Sequence, residues 1–202
     1  MKLYYSPGAC SLSPHIVLKE SGLAFEAIAA PTKTHKLADG TDYYTINPLG
    51  YVPYLVLDDG RTLHEGPAIV QYLADQVPAK QLAPVNGSWE RYKLQEWLNT
   101  IGTELHKGFS SLFTPGMPTQ AKDMAKTRLM SRLTWVDGEL AGKTYLMGDT
   151  FSVADAYLFV VAGWSKHVGI DISGLTHLGT FMARVAARPA VQEALRAEGL
   201  IK

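Results

Sequence analysis

The chain has 202 residues and a mass of 22.1 kDa, and 47% of its residues are hydrophobic, which is enough for a core and favours a folded chain over a disordered one. Its 19 Lys and Arg residues balance its 19 Asp and Glu residues, so no net charge attracts it to nucleic acid or to an anionic membrane. A small neutral or zwitterionic partner fits this composition better.

The amino-terminal residues MKLYYSPGAC contain no long apolar stretch of the kind found in signal peptides, and no segment approaches the roughly 18 to 20 apolar residues that span a bilayer. The single cysteine, Cys10, cannot form an internal disulfide, which agrees with a reducing compartment. We therefore expect a cytoplasmic location.

The first third of the chain alternates short strands and helices. Residues 2–5 and 25–30 predict strands, and the helix between them, over 11–20, ends at Gly22. Strand, helix and strand in this order form a parallel unit. A polar stretch with a short helix, two strands joined at an Asp-Asp-Gly hairpin and a further helix follow. These elements take residues 31–47 (the short helix within 39–45), 53–57, 61–64 and 65 onward.

The strand signals end at a segment without periodicity, residues 79–88, which predicts a linker between domains 1–78 and 89–202. Helical spacing of apolar residues marks the second domain as all-helical. Ser152 and Asp155 form a capping box before an apolar helix that belongs in the middle of a bundle, which gives them a structural role. The predicted helices cover 89–113, 121–140, 153 onward, 175–187 and 189–198.

Cys10 lies between the first strand and the first helix. A thiol at a helix N-terminus meets free backbone amides and the positive end of the helix dipole, which both favour the thiolate. The alternative is a buried small hydrophobe, but the small-residue loop SPGA at 6–9 favours a reactive thiol. With no second cysteine, disulfide exchange within one chain is excluded, whereas a mixed disulfide with an external thiol stays open.

Two further segments have the composition of a binding site. The segment NPLGYVP at 47–53 enters a strand through Pro53. A proline at strand entry lacks an amide donor and is common where the peptide bond is cis, which leaves the preceding backbone free to pair with an extended ligand. The turn Glu65-Gly66-Pro67 offers amides to a carboxylate and Glu65 to an ammonium group, a combination that suits an α-amino acid. The alternatives are an ordinary proline-capped strand and a plain helix start.

These three segments, SPGACS at 6–11, NPLGYVP at 47–53 and the Glu65-Gly66 turn, resemble the thioredoxin-like domain of glutathione transferases. Cys10 together with ELHK at 104–107 resembles the bacterial beta class, and the similarity continues through SVAD at 152–155 to LRAEGL at 195–200. The resemblance implies a thioredoxin-like β-α-β-α-β-β-α domain followed by an all-helical bundle. It also implies a homodimer that uses glutathione as co-substrate.

The resemblance also implies which residues bind glutathione. Val52 would pair its backbone with the cysteinyl part, with Pro53 cis, and Glu65 with the Gly66 amide would hold the γ-glutamyl head. Cys10 would face the glutathione sulfur. The implied glutathione contacts are Ala9, Cys10, His35, Tyr51, Val52, Pro53, Glu65, Gly66, Asn99, Thr103, Glu104 and His106, with Thr103 or Glu104 reaching the other subunit.

The chain departs from the family pattern at two positions. Gly66 stands where family members often have serine, which removes a hydroxyl contact but leaves the amide. His35, followed by Lys36, stands where a lysine contacts glutathione, so the contact at the glycyl end stays open.

The spacing of Asn99, Thr103, His106 and Ser110 places them on one polar stripe of a helix. Such a stripe is usually a solvated face, but the resemblance implies that it faces the glutathione sulfur. His106, as hydrogen-bond partner or base, and the cation Lys107 would lower the pKa of the glutathione thiol. With Cys10, they are the predicted catalytic residues.

Four residues are candidates for an apolar electrophile pocket: Phe109, Phe113, Trp164 and His167. Aromatic residues at helical spacing can equally be core. The histidines other than His106 show no metal-ligand spacing, so we expect no metal.

The sequence therefore predicts a glutathione S-transferase that conjugates glutathione to hydrophobic electrophiles, halogenated aromatics among them, in detoxification of xenobiotics. Two alternatives stay open. One is glutathione-dependent thiol redox chemistry or reductive dehalogenation through a Cys10 mixed disulfide, and the other is a non-catalytic carrier of hydrophobic ligands. Charge and motifs give no support for a nucleic-acid or membrane partner.

Overall fold

A computed structural model describes all 202 residues, Met1–Lys202. Their contacts divide the chain into an amino-terminal unit, Met1–Leu82 with Ala187–Lys202, and a helical unit, Ala83–Ala186. In chain order the strands and α-helices are β1 (Lys2–Tyr5), α1 (Leu12–Ser21), β2 (Glu26–Ala29), β3 (Tyr54–Val56), β4 (Thr62–His64), α2 (Gly66–Asp75), α3 (Trp89–Thr100), α4 (Lys107–Phe113), α5 (Thr119–Glu139), α6 (Val153–Gly163), α7 (Ser165–Val168), α8 (Thr176–Ala186) and α9 (Pro189–Ala197). Two 3-10 turns, Tyr43–Thr45 and Pro78–Lys80, and a π-helical turn, Ile101–His106, complete the list.

The sheet of the amino-terminal unit has the strand order β2-β1-β3-β4, with β1 parallel to β2 and β3 antiparallel to β1 and β4. Leu3 of β1 pairs with Leu55 of β3, and both side chains are fully buried. Side chains alternate between the two faces of a strand, and Tyr4 packs in a separate cluster with Tyr43 and Val52. Apolar side chains on both faces of the sheet therefore fix its register.

The last helix, α9, groups with the amino-terminal unit because it packs along α1. Val191 and Ala194 of α9 are fully buried. Arg188, just before α9, binds the Glu20 carboxylate through two hydrogen bonds of 2.6 and 3.0 Å. The predicted domain boundaries assigned residues 187–202 to the helical domain, and periodicity could not show which helix receives the apolar face of α9.

The predicted helix at 89–113 is interrupted by the π-helical turn, where the Lys107 N–H donates to the Gly102 carbonyl five residues before it. A π-helical turn accommodates an extra residue and re-aims the side chains that follow it. It contacts α6, the apolar helix that also packs against α3 and α8. The four-residue helix α7 was not predicted, because the sequence signals resolved only the longer helices.

The start of α6 is organised around Asp155, which is fully buried. Its carboxylate accepts the Ser152 N–H at 2.7 Å, the Ser152 hydroxyl at 2.8 Å and the Leu146 N–H at 2.8 Å. Burial raises the pKa of Asp155 to about 6, although these hydrogen bonds oppose the shift. The capping box predicted at Ser152 and Asp155 is present.

Candidate functional site

Cys10 lies at the end of the loop that joins β1 to α1. Ser11 closes this loop, because its hydroxyl accepts the Ser6 N–H at 3.1 Å and donates to the Ser6 carbonyl at 3.2 Å. The Cys10 thiol is half-buried and donates to the Val52 carbonyl at 3.3 Å. Two predicted glutathione contacts, 42 positions apart in sequence, are therefore neighbours.

The peptide bond between Val52 and Pro53 is cis, as the resemblance implied. The residue before this pair, Tyr51, has a 70% exposed side chain, but its carbonyl accepts the Tyr43 hydroxyl at 2.9 Å and the Asn47 amide at 2.9 Å. Burial is the main cause that raises the pKa of Tyr43 to about 12, which keeps the phenol protonated as a donor. Tyr43 and Asn47 thus fix the Tyr51 carbonyl, and with it the position of the backbone of Val52, the next residue.

Glu65 and Gly66 form the start of α2. Glu65 is exposed and has a φ of 72°, which costs a non-glycine residue about 1 to 3 kcal/mol and marks a position that the surrounding structure over-determines. Gly66 is buried, and a Cβ on it would lie 3.9 Å from Pro53 Cγ and 3.9 Å from Ser13 Oγ. The start of α2 therefore adjoins both the cis-proline and α1.

His35, the candidate contact at the glycyl end of glutathione, packs against Tyr44 in the amino-terminal unit. Its ring packs on Tyr44 with 4.5 Å between centroids, and its backbone has a φ of 51°. Gly50 sits against this pair, because a Cβ there would approach Tyr44 Cε1 to 2.6 Å and His35 Cε1 to 3.1 Å. His35 Nδ1 is buried without a hydrogen-bond partner, whereas the neighbouring Lys36 is exposed.

In the helical unit, His106 ends the π-helical turn and contacts two aromatic residues. Its Nδ1 lies 2.6 Å from the Tyr157 hydroxyl, and its ring stands edge-on to Trp164 with 5.0 Å between centroids. Burial, with a smaller contribution from the Lys107 cation, lowers the pKa of His106 to about 4. The imidazole is therefore neutral at physiological pH, and Lys107 beside it is exposed.

Three of the four predicted pocket residues form one aromatic cluster. Trp164 packs edge-on to Phe109 and to Phe113, at 5.7 and 5.8 Å between centroids. Phe109 is fully buried and supports the cluster from behind, whereas Phe113 is 49% exposed and Trp164 is half-buried. His167 is exposed on α7 and lies outside this cluster. The accessible aromatic surface is therefore that of Phe113 and Trp164.

Two family models match the chain: the N-terminal domain of glutathione S-transferases over residues 8–76 and their C-terminal domain over residues 100–189. Glutathione S-transferase GstA of Escherichia coli O157:H7 is 51% identical over 99% of this chain and 100% of its own length. The chain belongs to the glutathione S-transferase family. The thioredoxin-like fold and the all-helical domain predicted from the sequence are thereby confirmed.

Solved glutathione S-transferase structures support the beta-class assignment. A bacterial beta-class enzyme from Sphingomonas chungbukensis superposes with a TM-score of 0.96 at 51% identity and full coverage of both chains. A sphingomonad glutathione S-transferase solved in complex with glutathione gives the same TM-score at 49% identity, again over both full chains. The predicted resemblance to the beta class is confirmed.

Glu104, predicted as a contact to glutathione of the other subunit, forms ion pairs with two arginines of its own chain. Its carboxylate accepts hydrogen bonds from Arg128 at 3.0 Å and Arg132 at 2.8 Å, which hold the pKa of Glu104 below its usual value. The Thr103 hydroxyl donates to the Asn99 carbonyl, and the Asn99 amide donates to the Gln95 carbonyl. Contact of these polar groups with glutathione stays a prediction.

Several residues that shape the candidate site were not predicted. Tyr157, which contacts His106, carries the only hydroxyl in the apolar run AYLFVVAG, and this hydroxyl was the available signal. Asn47 lies within the recognised NPLGYVP segment, but no sequence pattern indicated its hydrogen bond to the Tyr51 carbonyl four residues later. No pattern pointed to Tyr43, Arg128 or Arg132.

No group of three or more His, Cys, Asp or Glu side chains comes together in a way that could hold a metal ion. None of the helices combines the length and the apolar character needed to cross a membrane.

Proposed function

We propose that this protein conjugates glutathione to hydrophobic electrophiles. The observation that carries the proposal is the convergence of Cys10, the cis Val52–Pro53 peptide and Gly66 within the amino-terminal unit. Glutathione is bound in the related sphingomonad structure at 49% identity. The corresponding segments here carry the groups that a γ-glutamyl tripeptide requires.

Each part of glutathione has a candidate partner. The ammonium group of the γ-glutamyl head pairs with Glu65, and its carboxylate meets the Gly66 amide at the start of α2. The backbone of Val52 pairs with the cysteinyl residue, which brings the sulfur to Cys10. Ala9, Tyr51 and Pro53 border this path, and His35 is the candidate at the glycyl end.

The proposed reaction is a substitution at carbon. The glutathione thiol loses its proton, and the thiolate sulfur then attacks the electrophilic carbon while a leaving group such as halide departs with its bonding electrons. His106 and Lys107 favour the reaction by stabilising negative charge on the glutathione sulfur. Each unit by which they lower the pKa of the thiol corresponds to about 1.4 kcal/mol of stabilisation of the thiolate relative to the thiol. Cys10 either orients glutathione or forms a mixed disulfide with it.

We propose that the accessible surface of Phe113 and Trp164 receives the apolar electrophile. Aromatic rings bind apolar molecules through dispersion and burial of area, and Phe109 packs against both Phe113 and Trp164. His167 stays a candidate at the edge of this surface, and Asn99, Thr103 and Glu104 stay candidates for glutathione contacts.

We also propose a homodimer in the cytoplasm, on the support of the resemblance to bacterial beta-class enzymes. Light scattering of the purified protein is expected to give twice the mass of the 22.1 kDa chain. A mass equal to one chain would contradict the dimer.

A conjugation assay tests the proposed function directly. Purified wild type and Cys10→Ala are given glutathione and an aryl halide, and products are identified by mass. Wild type is expected to form the glutathione adduct and release halide in equal amounts. The aryl halide without protein, and with heat-denatured protein, gives the background rate.

The Cys10→Ala variant separates the possible roles of the thiol. Retained conjugation assigns thiol activation to other groups, His106 foremost, and leaves Cys10 to orient glutathione or to act in redox chemistry. If only wild type forms the adduct, Cys10 is essential for transfer. A wild type that forms no adduct, or that releases halide with formation of glutathione disulfide, would contradict conjugation.

A further inference from the structure

We propose that Tyr157 is a positioning residue, whose phenol O–H donates to Nδ1 of His106 and so holds the imidazole in the tautomer that carries its hydrogen on Nε2. His106 then acts in the reaction as an N–H donor to sulfur and not as the base that takes the thiol proton. The role of this N–H at the glutathione sulfur rests on the proposed function, whereas the tautomer itself does not.

The contact between the two residues is short and well supported. The Tyr157 oxygen and His106 Nδ1 are 2.6 Å apart, and Tyr157 is buried in α6 with only 3% of its surface exposed. Gly102, in the π-helical turn, faces the hydroxyl, because a Cβ there would lie 3.7 Å from the Tyr157 oxygen. The π-helical turn therefore presents His106 to the phenol and leaves room for it.

Acid–base chemistry decides which atom holds the shared hydrogen. A neutral imidazole has one N–H donor and one bare nitrogen acceptor, and the hydrogen bond made by one nitrogen fixes the state of the other. A phenol, with a pKa of about 10, is far more acidic than a neutral imidazole N–H, and an imidazole nitrogen is far more basic than a phenol oxygen. The hydrogen therefore stays on Tyr157, and Nδ1 is the acceptor.

The groups around His106 also keep the ring neutral. Lys107 follows it in sequence, and its cation opposes a second positive charge. Trp164 from the end of α6 contributes an aromatic ring and no carboxylate. Glu104 is engaged by Arg128 and Arg132 on α5. No anion contacts His106, so its ring stays neutral. Because Nδ1 accepts the hydrogen bond from Tyr157, the ring can act on a ligand only as a donor, through the Nε2 hydrogen.

Donation from Nε2 changes how the thiol is activated. The N–H stabilises the thiolate once it exists, and the thiol proton leaves to solvent instead of to His106. A hydrogen bond to an ionised acceptor contributes enough that its loss lowers the rate roughly tenfold to a hundredfold. Without the Tyr157 hydroxyl, His106 can adopt either neutral tautomer, and a smaller fraction of the rings then donates from Nε2. Tyr157 therefore acts through His106.

The first test reads the tautomer by NMR of the imidazole nitrogens in full-length wild type, with His106 signals assigned from a His106→Gln sample. Wild type is expected to show a pyridine-type signal at Nδ1 and a pyrrole-type signal at Nε2. Tyr157→Phe is expected to mix the two tautomers. Tyr145→Phe, which removes the hydroxyl of another buried tyrosine of the helical unit, is expected to leave the His106 signals unchanged. A hydrogen on Nδ1 in wild type, or an unchanged tautomer in Tyr157→Phe, would overturn the proposal.

The second test uses kcat/KM for conjugation and its pH profile. An amide at position 106 in glutamine reaches where Nε2 lies, whereas the shorter asparagine reaches only to Nδ1. His106→Gln is therefore expected to keep most of the activity, and His106→Asn to lose roughly tenfold or more. If His106 is the base, both amides lose activity alike, which overturns the donor role. If wild type conjugates nothing, the proposed function fails, while the NMR result still decides the tautomer.

Discussion

The carboxylate of Glu198, one residue beyond the last helix, accepts the backbone N–H of Gly8 at 2.9 Å, two residues before Cys10. Its second oxygen lies 2.8 Å from Nδ1 of His15, and both side chains are buried. The carboxyl-terminal segment thus shapes the loop that carries the thiol. Burial raises the pKa of the Tyr5 phenol, and the negative charge of Glu198 adds a smaller contribution in the same direction.

Glu198→Ala is expected to destabilise the protein because it removes the acceptor of the partly buried Gly8 N–H and the partner of the fully buried His15 Nδ1. Each such group costs about 1 to 3 kcal/mol, so we expect a loss of about 3 kcal/mol in the free energy of unfolding. Urea denaturation followed by circular dichroism measures it. Glu193→Ala, which removes an exposed carboxylate of α9 that lies 3.8 Å from Lys19, is expected to change the free energy by less than about 0.5 kcal/mol. Equal midpoints for both variants would refute the role of Glu198.

Gly66→Ser is expected to preserve the fold and to strengthen glutathione binding. A Cβ at Gly66 would meet its neighbours only at 3.9 Å, and the position has no positive φ. We expect the added hydroxyl to supply the glutathione contact that the resemblance implies for family members with serine, at about 0.5 to 1.5 kcal/mol. We expect a KM for glutathione roughly twofold to tenfold lower at unchanged thermal stability.

Gly50→Ala is the matched control for the effect of a new side chain near the site. Gly50 has a φ of 66°, and its Cβ would lie 2.6 Å from Tyr44, so this variant is expected to lose about 1 to 3 kcal/mol of stability. A Gly66→Ser protein that melts as early as Gly50→Ala would show that the start of α2 cannot accept a side chain.

The local elements of the amino-terminal unit followed from short sequence signals. The hairpin at Asp58-Asp59-Gly60 joins β3 to β4, and Gly22 ends α1 in the left-handed conformation. These features depend on the φ preference of single residues, which sequence expresses directly. The resemblance supplied the cis bond before Pro53, for which periodicity gives no evidence.

Features that depend on tertiary pairing could not be predicted in this way. The partner of α9 is decided by contacts such as Arg188 with Glu20, 168 positions apart. The hydrogen bonds of the π-helical turn over Ile101–His106 span five residues instead of the four of an α-helix, a difference that apolar spacing does not resolve. Tyr157 has the pattern of a core residue in an apolar helix. Its proposed function depends on its hydroxyl, which contacts His106 from 51 positions away in sequence.

Asp155→Ala is expected to damage folding more than catalysis. The carboxylate satisfies the backbone N–H groups of Leu146 and Ser152 in a fully buried place, so their loss costs about 3 kcal/mol or more. Thermal denaturation is expected to show a clear drop in melting temperature, with kcat/KM per folded molecule close to wild type. Asp149→Ala removes an exposed carboxylate that accepts from Thr144 and serves as the control. A stable Asp155→Ala protein with lost activity would contradict this structural role.

The lowered pKa of His106 predicts that acid weakens the helical unit. The folded-state pKa is about 4 and the ordinary value is 6.5, so between these values the unfolded chain binds more protons than the folded one. The contribution is fully present above pH 6.5 and is lost as the pH falls toward 4, to a total of up to about 3 kcal/mol. Asp155, with its pKa raised from 3.8 to about 6, acts in the opposite direction over nearly the same range.

Because the two groups oppose each other, the pH dependence of His106 has to be measured as a difference between variants. The free energy of unfolding of wild type minus that of His106→Gln is expected to fall by about 2 to 3 kcal/mol from pH 7 to pH 4.5, since glutamine cannot titrate. His64→Gln makes the same substitution at an exposed histidine of the amino-terminal unit and is the control for the effect of glutamine itself. A flat difference for His106→Gln would mean that His106 titrates at its ordinary pKa and is protonated as readily in the folded protein as in the unfolded chain.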